Sequence, residues 1–488
     1  MSTITEYLEE LSGRSVTVIG MGISNVPLIK MLLRAGVKVT VRDKANREKV
    51  ADLAQELESL GATLVLGPDY LKDLGGELIF RTPGLSPNTP ELAQAVENGA
   101  ALSSEMEVFF QTCPSHLVAV TGSDGKTTTT TIISEFLKEA GKTVYVGGNI
   151  GKPLLPDVAD MDPEDFAVLE LSSFQLMTME QSPNIAVITN LAPNHLDYHH
   201  TMENYFQAKA KLFEQMAQDT RSRRKPVAVI NIDDAYGRRL AEMFSGRMTV
   251  KTYGSALGAD FRMLVHHATA KGSEYELEYK GKSYLVRVPL IGKFNMYNSL
   301  AALAAVICAG IPVRDAIANL QNIPQVPGRL ELFTHPGGAQ IFIDYAHTPD
   351  ALENVCKTLK ELCSRRLITV FGCGGDRDRG KRPLMGAAAA RLSDACIVTS
   401  DNPRSEEPLS IISQIAAGMP EGRYAIIPDR ARAIATAIEQ ARLGDIILIA
   451  GKGHENYQEL STGRIDFSDA KEVRRNMFIK EREEFPQA

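Results

Sequence analysis

Residues 118–137, VAVTGSDGKTTTTTIISEFL, decide the fold class of this chain. The segment begins with an apolar run that predicts a short buried strand, and it ends with apolar residues at helical spacing. Between the two lies a turn with glycine at positions 122 and 125, followed by Lys126 and Thr127. A strand, a glycine turn and a helix in this order predict an α/β unit whose turn presents backbone N–H groups to a phosphate.

The same turn carries the side chains that a phosphate site needs. Lys126 supplies a positive charge, and the Thr127 hydroxyl is placed to bind a magnesium ion that bridges phosphates. The standard phosphate-loop motif is two residues longer than this turn, so a turn that merely requires two glycines is the alternative. The predicted contacts of the loop are Gly122, Ser123, Asp124, Gly125, Lys126, Thr127 and Thr128.

Length and composition exclude several classes of function. A chain of 488 residues is too long for one core, so about two to four domains are expected. The net charge of −7, without a basic block, argues against a nucleic-acid partner. A signal-like apolar segment and a membrane span of ~20 apolar residues are both missing from the sequence. The six cysteines form no C-x-x-C pair, so we expect reduced thiols in a cytoplasmic protein. We also expect no membrane partner and a monomeric state.

A second glycine turn lies near the N-terminus. Residues 15–44 predict a strand, a turn, a helix and a second strand, with Gly20 and Gly22 in the turn and Asp43 at the end. The pattern is close to the dinucleotide fingerprint, but Asn25 stands where the third glycine is expected. Binding of NAD, binding of a nucleotide-sugar diphosphate and a turn without a ligand are all compatible with it.

Polar residues also follow the predicted strands of the middle of the chain, where α/β sheets bind ligands. Asn149 follows VYVGG, and Glu170 ends the apolar strand in FAVLELSSFQL. A carboxylate beside a phosphate loop can hold Mg²⁺, whereas a strand-end glutamate is otherwise simply solvated. His195 follows the strand IAVITN and Lys209 lies on the next helix, and the default interpretation of both is a polar surface residue.

These motifs together resemble the Mur ligases, ATP-dependent amide-forming enzymes of peptidoglycan synthesis. TGSDGKT is similar to the family loop TGTNGKT, and further motifs follow in family order over most of the chain. The resemblance implies an α/β protein with three domains. They are a Rossmann-like UDP-substrate domain at 1–113, a central phosphate-loop-like ATPase domain at 114–327 and a Rossmann-like amino-acid-binding domain at 328–488.

The resemblance also implies ligands and site residues. The cofactors are ATP and Mg²⁺, and the other ligands are a UDP-N-acetylmuramoyl substrate and an amino acid. The implied catalytic residues are Lys126, Glu170, His195 and Lys209. The implied metal ligands are Thr127 and Glu170 at one Mg²⁺, and His195 and a Lys209 carbamylated by CO₂ at a second. Further implied ATP contacts are Asn295, Asn298, Arg329, Asp344 and His347. The implied UDP-substrate contacts are Gly22, Ser24, Asn25, Asp43, Gly84, Asn149, Ser172 and Gln175, and the amino-acid contacts are Asp401, Asn402, Arg404, Lys452 and Glu455.

Three of these assignments have qualifications. Lys209 matches the family pattern of a lysine four residues after a tyrosine, here Tyr205. Asn194 departs from the D-glutamate-adding members, which usually carry aspartate at that place. Asn295 and Asn298 share one helix face and can pair with the edge of adenine, but they can equally form a polar helix start.

The two halves of the chain resemble different members of the family. Up to about residue 215, VTVIGMGISN, RTPGLSP and SSEMEVFF resemble members that add D-glutamate to UDP-N-acetylmuramoyl-L-alanine. Beyond about residue 290, DNPR and GKGHE resemble members that add meso-diaminopimelate or lysine to the dipeptide acceptor. Arg404 can bind a carboxylate of D-glutamate or diaminopimelate. Because misplacing the acceptor carboxylate by ~1 Å is costly, the N-terminal half decides, and the sequence favours D-glutamate, with diaminopimelate or lysine addition as the alternative.

Two functions from other classes are weaker alternatives. An NAD-dependent oxidoreductase built on Gly20 and Gly22 leaves the phosphate loop and the second half of the chain without a role. A plain NTPase explains the phosphate loop, but not Asn149, His195 and Lys209 in one order. An ATPase assay with and without a UDP-muramoyl acceptor separates these functions, since only the ligase should require the acceptor.

Overall fold

The structure is a computed structural model that describes residues 3–219, 225–269 and 272–484. The chain forms two compact units. The first contains Met1–Leu264, Glu276–Tyr284 and Tyr297–Leu320, and the second contains Val265–Tyr275, Leu285–Met296 and Gln321–Ala488. The predicted domain division at 113 and 327 stays a prediction.

The N-terminal part of the first unit is an open parallel sheet with helices between its strands. Its elements are α1 (Ile4–Leu11), β1 (Ser15–Ile19), α2 (Asn25–Arg34), β2 (Lys38–Asp43), α3 (Ala51–Ser59), β3 (Thr63–Leu66), β4 (Leu78–Phe80), α4 (Pro90–Glu97), β5 (Ala101–Ser103) and α5 (Glu105–Thr112). The strand order is β3-β2-β1-β4-β5, and all pairs are parallel. Four of the five residues of β1 are buried, as expected for a strand covered on both faces.

The middle of the chain forms a larger sheet. Its elements are β6 (His116–Thr121), α6 (Lys126–Glu139), β7 (Val144–Gly148), β8 (Phe166–Glu170), α7 (Ser173–Leu176), β9 (Ile185–Ile188), α8 (Leu196–His199), α9 (Met202–Gln218), β10 (Val227–Asn231), α10 (Ala235–Phe244), β11 (Thr249–Gly254), β12 (Phe261–Thr269), β13 (Gly272–Tyr279), β14 (Lys282–Val288), α11 (Lys293–Cys308) and α12 (Val313–Leu320). The nine strands have the order β14-β13-β12-β11-β10-β9-β6-β8-β7. The pairs from β11 to β7 are all parallel, so the ends of β6, β8 and β9 lie at one edge. The strand–turn–helix predicted from residues 118–137 is confirmed as β6 and α6.

The C-terminal part is a third α/β sheet. Its elements are β15 (Glu331–Thr334), β16 (Gln340–Asp344), α13 (Pro349–Leu362), β17 (Leu367–Phe371), α14 (Lys381–Leu392), β18 (Ala395–Val398), α15 (Pro408–Ala416), β19 (Tyr424–Ile426), α16 (Arg430–Glu439), β20 (Ile446–Ala450), β21 (Tyr457–Leu460), β22 (Gly463–Asp466) and α17 (Asp469–Glu484). The order is β15-β16-β20-β17-β18-β19, with β15 antiparallel to its neighbour and the other pairs parallel. β21 and β22 form a separate hairpin.

The cysteines are unpaired by disulfide bonds, and most of them are buried. All six cysteines are free thiols. Burial raises the pKa of Cys113, Cys356, Cys373 and Cys396, which keeps these thiols protonated and unreactive. Of the helices in the described part of the chain, none is long and apolar enough to cross a bilayer.

Helix α5 buries two carboxyl groups in the core of the first unit. Glu105 and Glu107 are only 4% and 7% exposed, and burial raises the pKa of each to about 7. Oε1 of Glu105 and Oε2 of Glu107 have no hydrogen-bond partner among the described residues. Both carboxyls therefore bind protons more tightly in the folded chain than at their ordinary pKa of 4.5.

We expect this burial to make stability depend on pH. A raised folded pKa stabilises the fold below pH 4.5, and that stabilisation is lost as the pH rises through about 7, by at most about 3 kcal/mol per group. Replacing both residues by glutamine should raise the melting temperature above that of wild type, by an amount that grows between pH 5 and pH 8. Glu97→Gln, an exposed change on α4, is the control. If the difference in melting temperature between the double variant and wild type stays constant from pH 5 to pH 8, the prediction is contradicted.

Candidate active site

The phosphate loop lies between the end of β6 and the N-terminus of α6. Gly122 and Gly125 have φ values of +143° and +76°. A Cβ at Gly122 would collide with Oγ1 of Thr189, and a Cβ at Gly125 would collide with Oδ1 of Asn298. Glycine is therefore required at both positions, and the N-terminus of α6, with its partial positive charge, borders the loop.

The neighbouring strand β9 fixes this loop through hydrogen bonds. The backbone N–H of Ser123 donates to the carbonyl of Asn190 at 2.8 Å, and that of Asp124 donates to Asn190 Oδ1 at 2.9 Å. The hydroxyls of Ser123 and Tyr205 lie 3.1 Å apart. Asn190 was not selected from the sequence, although its place just after an apolar strand was a usable signal.

Three predicted residues meet at one buried carboxylate. Glu170 is 2% exposed; its Oε2 accepts a hydrogen bond from Thr127 Oγ1 at 2.7 Å, and its Oε1 accepts one from Asn149 Nδ2 at 2.9 Å. Lys126 lies beside them, with Nζ donating to the carbonyl of Ser123 at 2.7 Å. The solvated alternative for Glu170 is therefore wrong, because its side chain is buried and Thr127 and Asn149 bind its two oxygens.

Lys209 is also buried rather than solvated. Its side chain is 1% exposed, and Nζ donates to Thr121 Oγ1 at 3.1 Å and lies 4.9 Å from the ring centre of Tyr205. Burial, and then the positive charge of Lys126, hold the pKa of Lys209 well below its usual range, while Glu170 opposes this shift. The positive charge of Lys126 beside the loop suits an anionic ligand.

The donor atoms around Glu170 fit a magnesium ion. A carboxylate and a hydroxyl oxygen are ligands that Mg²⁺ prefers, with the remaining positions filled by phosphate oxygens and water. Across the described residues, no three histidine, cysteine, aspartate or glutamate side chains form a metal-binding group by themselves. Thr127 and Glu170 supply two oxygen ligands, and a substrate phosphate with water would complete the set.

His195, which precedes α8, and His199, the last residue of α8, differ in their surroundings. His195 is exposed, has a φ of +54°, and contacts the ring of Phe174 edge-on with centroids 4.9 Å apart. His199 is buried, and its Nε2 lies 2.9 Å from Ser173 Oγ. The predicted role of His195 at a second metal ion stays a prediction. His199 is a residue of this loop that was not selected from the sequence.

The predicted asparagine pair on α11 is buried. Asn298 accepts a weak hydrogen bond from Thr129 Oγ1 at 3.5 Å and lies against Gly125 of the phosphate loop. Asn295 donates to the backbone carbonyl of Ile291 at 2.9 Å, as a helix-start residue does. The polar-helix-start interpretation thus accounts for one contact of Asn295, and the adenine contact stays a prediction for both.

In the N-terminal glycine turn, the predicted polar residues bind the backbone. Asp43 accepts from the N–H groups of Met21 and Ala45, at 2.7 and 2.8 Å. The Asn25 side chain is 3% exposed and donates to two carbonyls of the turn at 3.0 Å each. Both residues hold the shape of the turn that contains Gly22 and Ser24, and their contact with a UDP group stays a prediction.

Arg81 joins this first sheet to α7. The guanidinium is 1% exposed; Nη1 donates to the carbonyl of Leu85 at 2.9 Å, across the loop that contains Gly84. Nη2 donates to the carbonyl of Phe174 at 2.7 Å and to Thr178 Oγ1 at 3.1 Å. Arg81 was missed in the sequence, where a single arginine gives no sign of partners so far along the chain.

Two predicted substrate contacts, Ser172 and Gln175, lie at the N-terminal end of α7. Ser172 and Gln175 form a capping box, in which Ser172 Oγ accepts from the N–H of Gln175 at 3.3 Å and Gln175 Oε1 accepts from the N–H of Ser172 at 2.9 Å. This pairing explains why serine and glutamine stand three residues apart there. Their role in substrate binding stays a prediction.

Three predicted ATP contacts lie around the end of β16. Asp344 accepts from the N–H of Leu330 at 2.8 Å. The Arg329 guanidinium lies 4.7 Å from the ring centre of Tyr345. Burial, and then the charge of a neighbouring lysine, hold the pKa of His347 below its usual range, so this imidazole is neutral at pH 7. The three side chains share one corner of the second unit.

The predicted amino-acid contacts form one hydrogen-bonded cluster. The fully buried Lys452 donates to Asn402 Oδ1 at 2.9 Å and to Glu455 Oε2 at 2.8 Å, and Asn402 Nδ2 donates to the same Glu455 oxygen at 2.9 Å. Arg404 donates through Nε to Glu459 Oε2 at 3.1 Å. Asp401 precedes this cluster and is 8% exposed. Glu459, which orients Arg404, was not selected from the sequence.

Family comparisons cover most of the chain. The MurD-like N-terminal domain of Mur ligases matches residues 14–104, the Mur ligase middle domain matches residues 120–306, and the Mur ligase glutamate ligase domain matches residues 328–453. The UDP-N-acetylmuramoyl-L-alanyl-D-glutamate–2,6-diaminopimelate ligase 1 of Clostridium acetobutylicum is 38% identical over 443 residues, which are 85% of this chain and 89% of that protein. The ligase of the same activity from Syntrophomonas wolfei is 40% identical over 380 residues, 73% of this chain and 76% of that protein.

Solved structures agree with these matches. A structure of a UDP-N-acetylmuramoyl-L-alanyl-D-glutamate–2,6-diaminopimelate ligase is 32% identical, with a TM-score of 0.56 and coverage of 98% of this chain and 94% of that one. The UDP-N-acetylmuramate-alanine ligase of Thermotoga maritima shares the fold at 20% identity and a TM-score of 0.60, with coverage of 96% and 100%. The predicted α/β architecture is thereby confirmed. The chain belongs to the Mur ligase family, whose members are ligases of peptidoglycan synthesis.

Proposed function

We propose that this chain uses ATP to join 2,6-diaminopimelate to UDP-N-acetylmuramoyl-L-alanyl-D-glutamate by an amide bond. The observation that carries the proposal is the name of its relatives: proteins 37–41% identical to this chain are 2,6-diaminopimelate ligases. This is the alternative of the sequence-based prediction. The comparisons support it better than they support D-glutamate addition, which the N-terminal motifs favoured.

The charges of the C-terminal cluster support this amino acid. Diaminopimelate carries a carboxylate and an ammonium at the end that does not react. Arg404 suits the carboxylate, and Glu455 with Asn402 suits the ammonium. D-Glutamate lacks the second ammonium and lysine lacks the second carboxylate, so each would leave part of the cluster without a ligand group.

D-Glutamate addition is the second candidate, and one finding favours it. Residues 14–104 match the MurD-like N-terminal domain, in agreement with the resemblance of VTVIGMGISN and RTPGLSP to D-glutamate-adding members. The N-terminal domain binds the acceptor in this proposal. A pocket for the shorter acceptor would therefore argue for D-glutamate.

The proposed reaction has two steps. An acceptor carboxylate oxygen attacks the γ-phosphorus of ATP, the bond to the bridging oxygen breaks, and ADP leaves with that electron pair. The amine nitrogen then attacks the acyl carbon and releases a proton to solvent, the bond from that carbon to the phosphate oxygen breaks, and phosphate leaves with the electron pair. The protein's part is mainly position and charge, because phosphoryl transfer requires little covalent chemistry from side chains.

The chain supplies that charge beside the phosphate loop. Lys126 and the N-terminal N–H groups of α6 stabilise negative charge that develops on the phosphates. Thr127 and Glu170 would hold one Mg²⁺, and His195 with a carbamylated Lys209 would hold a second; when bound, the ions neutralise further phosphate charge. The proposed cofactors are therefore ATP and Mg²⁺.

The deciding assay pairs each UDP-muramoyl acceptor with each amine. Purified protein is incubated with UDP-N-acetylmuramoyl-L-alanine or its D-glutamate-extended form, and with D-glutamate, meso-diaminopimelate or L-lysine. Phosphate release and the product mass are measured. We expect turnover with the dipeptide acceptor and diaminopimelate, and no phosphate release without an acceptor. Turnover confined to the shorter acceptor and D-glutamate would refute the proposal.

A further inference from the structure

A fully buried ion pair lies behind the amino-acid cluster. Arg430, at the start of α16, and Asp469, at the start of α17, are both without solvent exposure in their side chains. Nε and Nη2 of Arg430 each donate to a different carboxylate oxygen of Asp469 at 2.7 Å. This bidentate geometry fixes the plane of the guanidinium.

The same guanidinium holds the two loops that carry the cluster. Nη1 donates to the carbonyl of Ser400 at 3.3 Å, immediately before residues 401–404. Nη2 donates to the carbonyl of Ala450 at 3.0 Å, immediately before residues 451–455. The strands that lead into these loops, β18 and β20, are not neighbours, because β17 lies between them. Arg430 thus links the loops across an intervening strand.

Stability alone does not explain this pair. Hydrophobic residues of similar volume often replace a buried ion pair without loss of stability. They could not donate to the carbonyls of Ser400 and Ala450, however. Arg430 therefore specifically fixes the distance between the two loops. The loops meet where Lys452 donates to Asn402 at 2.9 Å.

We propose that Arg430, oriented by Asp469, is a positioning residue for the incoming amino acid. It sets the spacing between the loop of Asn402 and Arg404 and the loop of Lys452 and Glu455. The inference rests on the proposed function, in which this cluster binds the amine. A change at Arg430 should therefore weaken use of the amine selectively.

The same sheet offers a control pair at the opposite ends of its strands. Arg366 and Asp445 immediately precede β17 and β20, and Arg366 donates to Asp445 through Nε at 3.2 Å and through Nη2 at 2.6 Å. Asp445 is fully buried in this pair. The control is thus a second bidentate arginine–aspartate pair, which lies at the N-terminal ends of the strands and not at the loops of the cluster.

The test compares Arg430→Lys and Asp469→Asn with Arg366→Lys and Asp445→Asn. Each of the three substrates is varied in turn, and melting temperatures are recorded. We expect the KM for diaminopimelate to rise at least about tenfold in the Arg430 and Asp469 variants, since small misplacements of a reactant are costly. The KM values for ATP and the acceptor should change less than about twofold. The control variants should melt earlier but keep all three KM values.

Asp469→Asn preserves the shape of the site and guards against loss of folding in the lysine variant. Equal changes in all three KM values, or the same selective change in the control pair, would overturn the inference. If wild type turns over a different amine, the proposed function fails. The KM for that amine then becomes the tested quantity, and its selective increase would still support the positioning role of Arg430.

Discussion

Replacing Lys126 by alanine is expected to lower turnover at saturating ATP by about 10²-fold or more, with the fold intact. Lys126 is the first residue of α6, and its ammonium contacts the phosphate loop through the carbonyl of Ser123 at 2.7 Å. The substitution removes a full positive charge from the place where phosphate charge develops. It leaves the hydrophobic core unchanged, because the side chain is only partly buried.

The measurement is phosphate release with both substrates and ATP saturating, together with a melting curve. Lys138→Ala is the matched control, since Lys138 lies in the last turn of the same helix and pairs with Glu135 on the surface. The control should retain near-normal turnover. Near-normal turnover of the Lys126→Ala variant would show that this lysine does not contribute to the reaction, and would contradict the assignment of the phosphate loop.

Replacing Lys209 by alanine is expected to abolish most activity, and short-chain carboxylic acids should restore part of it. The lysine is buried beside Lys126, and its hydrogen bond goes to the neutral hydroxyl of Thr121. Such surroundings favour an uncharged amine, which attacks CO₂ so that an N–C bond forms and a proton leaves to solvent. The resulting carbamate is an anion that would balance the neighbouring positive charge.

Two readouts check this modification. Activity is measured with and without acetate or propionate, and the wild-type protein is examined by ¹³C NMR under ¹³C-labelled CO₂ for a carbamate signal. Lys211→Ala is the control, because Lys211 lies on the same helix and donates to the carbonyl of Met177 at 2.8 Å. Absence of a carbamate signal in active wild-type protein would contradict the prediction.

Local patterns predicted the centre of the fold and of the site. The turn at 122–125 is readable because its glycines are required by close neighbours. Glu170 and Asn149 were found because residues after parallel strands gather at one sheet edge, and both do contact each other there. These inferences need only the order of strands and the direction in which they run.

Long-range pairs and substrate choice could not be predicted in this way. Arg81, Arg430 and Asp469 are charged residues without a local motif in the sequence, where a solvated surface position is the default. Their burial depends on partners that only the folded chain brings near. The sequence-based preference for D-glutamate has a similar limit. Local motifs in the two halves of the chain point to different amino acids, and nothing in the motifs says which half determines the substrate.

The contact of Arg81 has a consequence for the chain during synthesis. Its partners Phe174 and Thr178 lie 93 and 97 residues further along. A ribosome that adds ~5–20 residues per second delivers them about 5–20 s after the arginine. Until then water solvates the guanidinium, and the loop of Gly84 has no anchor in α7. Nascent chains that stop before Thr178 should therefore expose this loop to proteases that do not cleave it in the finished protein.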